Sequence, residues 1–280
     1  MQTVRNASRT SERTPSMPCF PTSTVPLFDT HCHCGLVLNA HPPPQPGCYE
    51  LIASVELRHW HTLPPLLEGK SQRLGALGLH PWFAQQWEPS CAARLEELLQ
   101  QPEIVAVGEV GLDPGVGAAL EVQERVLRAQ IHLALKMKKP LILHVTKGYP
   151  RMLEILREEQ AQQVGGVVHA FSAGANVGND FIRQGFHLGV GPLLLQPHAR
   201  KLPTALCSLP LDRLVLETDA QGGMDGYTTP TQRTKVLSAI AQRLAEIHAE
   251  TPARICQQLW HNSRKLFLLP EPIPQREELS

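Results

Sequence analysis

Residues 104–144 read IVAVGEVGLDPGVGAALEVQERVLRAQIHLALKMKKPLILH. Two continuous apolar runs, Ile104-Val-Ala-Val-Gly108 and Leu141-Ile-Leu143, enclose a helical pattern from Leu120 to Lys139. Apolar residues that follow one another without polar alternation mark strands covered on both faces, the environment of a parallel sheet. Between the runs, Leu120, Leu127, Ile131, Ala134 and Leu135 share one helical stripe. Lys136, Lys138 and Lys139 complement the negative end of the helix dipole, and Pro140 stops the helix. The stretch is one strand–helix–strand unit. Each of its strands runs into polar residues, Glu109 and Asp113 after the first and His144 after the second.

The same pattern repeats on either side. Runs at Val25–Asp29, Glu50–Val55 and Arg73–Leu79 precede the unit, and runs at Gly166–Val168, Phe186–Val190 and Leu214–Leu216 come after it. Arg94–Gln100 and Met152–Glu159 read as crossover helices. Val236, Ile240, Leu244 and Ile247 share a helical face, and a last helix is predicted from about Pro252 to Leu268. Eight short strands alternating with crossovers predict an α/β chain closed into a single-domain, TIM-type (β/α)8 barrel over residues 25–269. One interval departs from this. Leu36–Gly47 contains Pro42, Pro43, Pro44 and Pro46, which predicts a loop in place of the first crossover helix and keeps an open α/β sheet as the alternative. Met1–Thr24 is rich in Ser, Thr, Pro and Arg, has no apolar signal core, and reads as a disordered extension; its composition also suits an organelle transit peptide. Residues 270–280, opening on Pro270-Glu-Pro-Ile-Pro274, read as a tail.

Composition narrows the function. Lys+Arg and Asp+Glu are both 26, so the formal charge is zero. That excludes a strongly basic nucleic-acid coat, and any phosphate handled here needs a focused site or bound cations. Apolar residues at 42% and charged residues at 19% belong to a globular chain. No apolar run approaches the roughly 18 residues of a membrane span. Seven cysteines without C-x-x-C spacing point to reduced thiols and a cytoplasmic enzyme. Thirteen histidines are what composition leaves unexplained.

Those histidines collect at strand ends. Strand one runs into Asp29-Thr-His31-Cys-His33, strand three into Gly78-Leu-His80-Pro81, strand five into His144, strand six into His169 and strand eight into Glu217-Thr-Asp219. Alternation along a strand sends His31 and His33 one way and Cys32 the other. The C-terminal ends of barrel strands surround one mouth, so residues far apart in sequence converge there. Imidazoles and carboxylates are the ligand types of zinc and related divalent ions, and leaving six such groups buried without partners costs several kcal/mol each. The His59-Trp-His61 pair has the same spacing as His31 and His33, but it lies among Trp and Leu residues and reads as ordinary surface or packing residues.

In order and combination these motifs resemble the TatD family of metal-dependent deoxyribonucleases. The resemblance runs from Phe28 to about Leu268, through Phe28-Asp-Thr-His-Cys-His33, Gly78-Leu-His-Pro81, Gly108-Glu-Val-Gly-Leu-Asp113, Pro140-Leu-Ile-Leu-His144, Val168-His-Ala-Phe-Ser172 and Leu216-Glu-Thr-Asp-Ala220. Gln123, Gln130, Asn262 and Phe267 also match family positions. The resemblance implies the closed barrel and two divalent ions. One would be held by His31, His33, Glu109 and Asp219, the other by Glu109, His144 and His169, with Glu109 bridging. A mixed nitrogen and oxygen set suits zinc or manganese better than magnesium. The implied activity is a phosphodiesterase or deoxyribonuclease acting on DNA ends or short single strands, with DNA or a nucleotide phosphodiester as partner and a monomer expected. Asp219 would orient the attacking water and take its proton, with Glu109 and His80 as the other catalytic candidates; His80 would donate to a phosphate oxygen or the leaving group.

On the substrate side the chain departs from the family. His144-Val-Thr-Lys147 stands where the family has His-Ser-Arg, so Thr146 replaces an Arg and Lys147 is the nearest cation. Gln221 replaces a Pro, and Thr228-Thr-Pro230 replaces Asn-x-Pro. Trp82, Phe83 and Trp87 follow Gly-Leu-His-Pro, where one of them, Trp82 first, is placed to stack a base while the others pack. Fold and metal do not choose between phosphorus and carbonyl centres. The alternatives are therefore a metal-dependent amide or ester hydrolase and a metal-binding protein without turnover.

Overall fold

The computed structural model describes residues 25–36, 43–220 and 229–269. The expectations for 1–24, 270–280, Gln221 and Thr228 lie outside the described residues, as does the middle of the proline-rich stretch, 37–42. Eight parallel strands form one sheet in chain order: β1 (Leu27–Cys32), β2 (Cys48–Ala53), β3 (Arg73–Leu77), β4 (Ile104–Leu112), β5 (Leu141–Val145), β6 (Gly166–Val168), β7 (Phe186–Val190) and β8 (Leu214–Leu216). Helices α1 (His59–Leu67), α2 (Cys91–Leu98), α3 (Leu120–Met137), α4 (Tyr149–Glu158), α5 (Ala175–Arg183), α6 (Lys201–Cys207), α7 (Pro230–His248) and α8 (Pro252–Leu266) accompany them. Between β1 and β2 there is no helix among the described residues.

Alternation divides each strand between two cores. Ala53, Ala76, Ala106, Ile142, Val167 and Val215 point into the lumen with Phe28 and Phe267, whose rings meet at 5.7 Å. Cys32, Ile52, Leu77, Val107, Leu143, Val168, Leu188 and Leu216 face the helices. The same parity carries on past the apolar runs: His144 lies two residues beyond Ile142, His169 two beyond Val167 and Glu217 two beyond Val215. On these three strands alternation alone carries the polar groups inward. Helix α3 supports this rim with two buried amides. Gln130 pairs with the backbone of Leu79 on both sides, and Gln123 does the same for Asp113.

Two bulges sit where the candidate ligands do. The β1–β2 register slips between Asp29 and Cys32, around His31, and the β4–β5 register slips between Val107 and Val110, around Glu109. A bulge re-aims the side chain it carries, and both operate at the mouth. Strand β4 also runs four residues past its predicted end at Gly108. Pairing of Val110, Gly111 and Leu112 with β5 overrides the weak strand preference of the two glycines.

The ends of the sheet close on each other through specific bonds. Thr30 Oγ1 donates to the Leu216 carbonyl at 2.8 Å, and Thr218 donates to Asp29 from both its amide (2.8 Å) and its hydroxyl (2.6 Å). Asp219 N then reaches the His31 carbonyl at 2.9 Å, and His33 N the Ala220 carbonyl at 2.8 Å. The seam between β1 and β8 thus carries Asp219 to the histidine pair. Asp219 sits at φ 52°, a left-handed conformation that costs a non-glycine residue free energy and is held by these flanking bonds.

His59 opens α1 and is buried beside Trp60, while His61 is exposed against Arg94, so one of the pair packs and the other lies on the surface. Burial pushes His59 and His187 down to about 4. Both stay neutral in the fold but protonate near 6.5 in the unfolded chain, so their contribution to stability is lost as pH falls from about 6.5 to 4. The difference in melting temperature between the wild type and a His59→Gln/His187→Gln double variant should therefore change steadily across that interval, in the direction of relative acid resistance for the variant. A pH-independent difference contradicts the assignment.

Candidate metal centre

His31, His33, His80, Glu109, His144, His169 and Asp219 meet at the C-terminal mouth of the barrel, brought there by β1, β3, β4, β5, β6 and β8. Glu109 is at the centre and is 2% exposed. Its Oε2 faces His33 Nε2 at 3.3 Å and His31 Nε2 at 3.4 Å. Its Oε1 faces His144 Nδ1 and His169 Nε2, both at 2.8 Å, and His80 Nε2 at 3.2 Å. Asp219 Oδ1 completes the first side, 3.5 Å from both His31 and His33. The two oxygens of one carboxylate therefore address two separate groups of imidazoles. Three triads, His31–His33–Glu109, His31–His169–Asp219 and His80–Glu109–His144, each bring their ligand atoms within 4.8 Å of one another.

The outer ends of the rings decide which histidines can offer a lone pair to a cation. His33 Nδ1 lies 2.8 Å from the Ala53 carbonyl, which only accepts, so the proton is on Nδ1 and Nε2 is free toward Glu109. His144 is reversed. Its Nε2 lies 3.4 Å from Asp113 Oδ2 and its Nδ1 faces the centre, the arrangement of a carboxylate–histidine–metal relay. His80 differs in kind: its Nδ1 accepts from Trp82 N at 3.2 Å, so the neutral ring carries its proton on Nε2 and aims a donor at Glu109. His31 and His169, stacked at 4.2 Å, present Nε2 inward, while their buried Nδ1 atoms have no partner.

The electrostatics describe a cavity that wants positive charge. Burial alone would raise Glu109, yet the surrounding imidazoles, His169, His80 and His31 first, hold it well below the usual carboxylate range. Asp219 is likewise depressed by His31 and His33 against the effect of burial. Burial pulls His31, His33 and His144 down, but the carboxylates outweigh it and lift all three, His33 to about 9. His80 and His169 are lowered by burial. The nitrogen pairs His31 Nε2–His33 Nε2 at 3.1 Å and His144 Nδ1–His169 Nε2 at 3.0 Å bring four ring nitrogens together around Glu109. The donor set, its spacing and its charge demand all fit divalent cations. A cavity of about 680 Å³ opens at the other end of the barrel, beside Tyr49, Leu74 and Trp260, and contains none of these groups.

A sequence model of TatD related DNases matches residues 28–268. The chain belongs to this family. YjjV of Escherichia coli K12, a metal-dependent hydrolase, is 29% identical over 262 residues, 87% of this chain and 98% of YjjV. The 3'-5' ssDNA/RNA exonuclease TatD of Erwinia billingiae is 32% identical over 200 residues, 69% of this chain and 77% of that protein. The crystal structure of E. coli YjjV superposes with a TM-score of 0.75 at 28% identity, covering 87% of this chain and 98% of the other. As a TatD-family member the protein is a metal-dependent hydrolase acting on ester bonds. No helix among the described residues is long and apolar enough to cross a membrane.

Around the TatD-type cluster, the substrate-side residues separate clearly. Trp82 is 42% exposed and is held from three directions: its indole Nε1 donates to Asp113 Oδ2 at 2.7 Å, its amide to His80, and its backbone abuts Gly117, where a Cβ would come within 2.4 Å of Trp82 Cα. Phe83 and Trp87 are half-buried against the helical shell. Thr146 Oγ1 lies 3.3 Å from His144 Nε2, and Lys147 is exposed on the β5–α4 turn at φ 57°. Asp113 is the residue that motif reading left without a role. It ends a strand as the others do, but only the fold shows that it touches His144 and Trp82 together.

Proposed function

We propose that the cluster holds two divalent ions and hydrolyses phosphodiester bonds at the ends of single-stranded nucleic acid. His31, His33 and Asp219 would hold one ion with Glu109 Oε2, and His144 and His169 the other with Glu109 Oε1. The observation that carries the reading is the division of the Glu109 carboxylate between two imidazole groups. Such an ion pair activates water at neutral pH and draws charge from a phosphoryl oxygen. The imidazole-rich set favours zinc or manganese over magnesium.

The chain's own groups do the rest. Asp219, with its side chain 34% exposed, is the carboxylate of the cluster that reaches solvent. It orients the attacking water and takes its proton. His80, with Nε2–H directed into the mouth, donates to a phosphate oxygen. Trp82 offers an exposed ring face beside His80 and His144, at centroid distances of 4.9 and 6.2 Å, on which a terminal base stacks. Lys147 supplies a point charge on the same rim. Neutral net charge suits a short grip on a strand end better than a long duplex footprint. The relative named as a ssDNA/RNA exonuclease supports the substrate class.

A second reading, hydrolysis of an amide or carboxylic ester, is favoured by one observation: Thr146 beside His144 cannot clamp a phosphate with two parallel bonds as an arginine does. Side-by-side assays on single-stranded DNA, a chromogenic phosphodiester and a panel of small amides and esters, each with Zn2+, Mn2+ or Mg2+, separate the two. Turnover confined to the amide or ester panel replaces the nuclease reading. Within the nuclease reading, Trp82→Ala should raise KM for single-stranded DNA by about 5- to 100-fold, the value of one base–aromatic stack. Its kcat on the small chromogenic ester should stay within a fewfold. An unchanged KM removes Trp82 from the substrate path.

A further inference from the structure

Strand β7 contributes no side chain to the cluster, and at its lumen-facing position stands Gly189, paired with Val215 of β8. Glu217, two residues beyond Val215, fills the space. A Cβ on Gly189 would lie 2.0 Å from Glu217 Oε2, so the glycine exists to admit this carboxyl. Glu217 is completely buried. Its Oε1 accepts from the amide of Ala170, the residue directly after His169, at 2.5 Å. Its Oε2 has no partner.

Hydrogen-bond bookkeeping around the histidines leaves a matching gap. A ring that gives one nitrogen to a cation needs an acceptor for the proton on the other, and that acceptor fixes its tautomer. The Ala53 carbonyl serves His33, and Asp113 serves His144. The Nδ1 atoms of His31 and His169 are buried and unpartnered. These two rings, one from β1 and one from the end of β6, stack on each other, and Glu217 is tied to the residue following His169. Two orphan donors and one orphan acceptor thus occur on residues that adjoin one another through Ala170 and the β1–β8 seam.

We propose that Glu217 is a positioning residue that accepts, across one buried water, the Nδ1–H groups of His31 and His169, and so locks both rings with Nε2 toward the ions. One water can take two donors and give one bond to a carboxyl oxygen. Burial pushes Glu217 up to about 8, but a carboxyl oxygen keeps an acceptor lone pair in either protonation state, so the role does not depend on its charge. The assignment rests on the reading of the cluster as a metal centre.

The test uses the full chain titrated with zinc. Glu217→Gln retains an oxygen for Ala170 N but turns an amino group toward the water, so it keeps the structural bond and loses the acceptor. Zinc affinity, measured by competition with a chelating dye, should fall about 10- to 100-fold in Glu217→Gln at an unchanged melting temperature. Gly189→Ala, which displaces the carboxyl without altering it, should lower affinity in the same way. In 15N histidine NMR of the zinc-loaded wild type, His31 and His169 should both be Nδ1–H tautomers with slowly exchanging protons, and Glu217→Gln should lose that protection. Wild-type affinity in Glu217→Gln, or fast-exchanging Nδ1 protons in the wild type, overturns the assignment alone. A wild type that binds no zinc, manganese or magnesium overturns the metal reading and this assignment with it.

Discussion

Glu109→Gln should remove hydrolysis almost completely, with kcat/KM falling by about 10³-fold or more, if this carboxylate holds the two cations proposed above. The substitution is nearly isosteric, so the bulged strand that carries residue 109 has no reason to move. What changes is the pattern of donors and acceptors. In the wild type both oxygens present lone pairs, one on the side of His31 and His33 and the other on the side of His144, His169 and His80. Glutamine turns one end into a hydrogen-bond donor that ties up the imidazole lone pairs a cation would take, and it removes the negative charge shared by the two halves. Metal analysis should show the bound ion content reduced together with turnover, and a rise in zinc or manganese in the assay should recover little. An enzyme that keeps full metal content and full turnover after this change would refute the placement of Glu109 between two ions.

Asp219→Asn should behave differently, because Asp219 stands at the edge of the cluster where Glu109 stands at its centre. Its side chain is 34% exposed, and His31, His33 and Glu109 remain to hold a cation when its charge is removed. Metal content should therefore survive to a large extent, while kcat on a phosphodiester falls by about 10²- to 10⁴-fold, the range for loss of a general base. KM should change much less. Melting temperature should change little, since the seam beside residue 219 is closed by its backbone and by Asp29 and Thr218. Unchanged turnover with added Mn2+ or Mg2+ refutes the proton-accepting role. Loss of turnover in step with metal content leaves Asp219 as a ligand without the proton-accepting role, and a loss of stability assigns it to structure.

The different roles of these two carboxylates came with the family resemblance; composition and spacing show each only as an acid just past an apolar run. The runs themselves were legible because a strand buried on both faces can use only apolar residues, and all eight stand where the continuous patterns lie. Helix α3 was equally legible from its stripe and its Lys-rich end before Pro140. Helix α1 was not, because Pro64 and Pro65 lie inside it; tertiary burial of Trp60, Leu63 and Leu67 holds a segment that local preference argues against. The predicted end of β4 at Gly108 failed for a related reason, since Val110–Leu112 gain their strand character from β5.

Residue chemistry and the continuous apolar runs were enough to predict a parallel α/β chain with imidazoles and carboxylates at its strand ends, because buried strands leave a direct imprint on composition and period. The choice of a closed barrel over an open sheet came with the family resemblance. The tertiary structure alone decided which atoms of those groups meet. It set two bulges that re-aim His31 and Glu109, a seam that delivers Asp219, a backbone amide that makes His80 a donor, and a glycine that makes room for Glu217. Each of these depends on which atom of a side chain meets which neighbour across long stretches of chain or a slip of one register position, and a linear pattern of residue types carries no record of that.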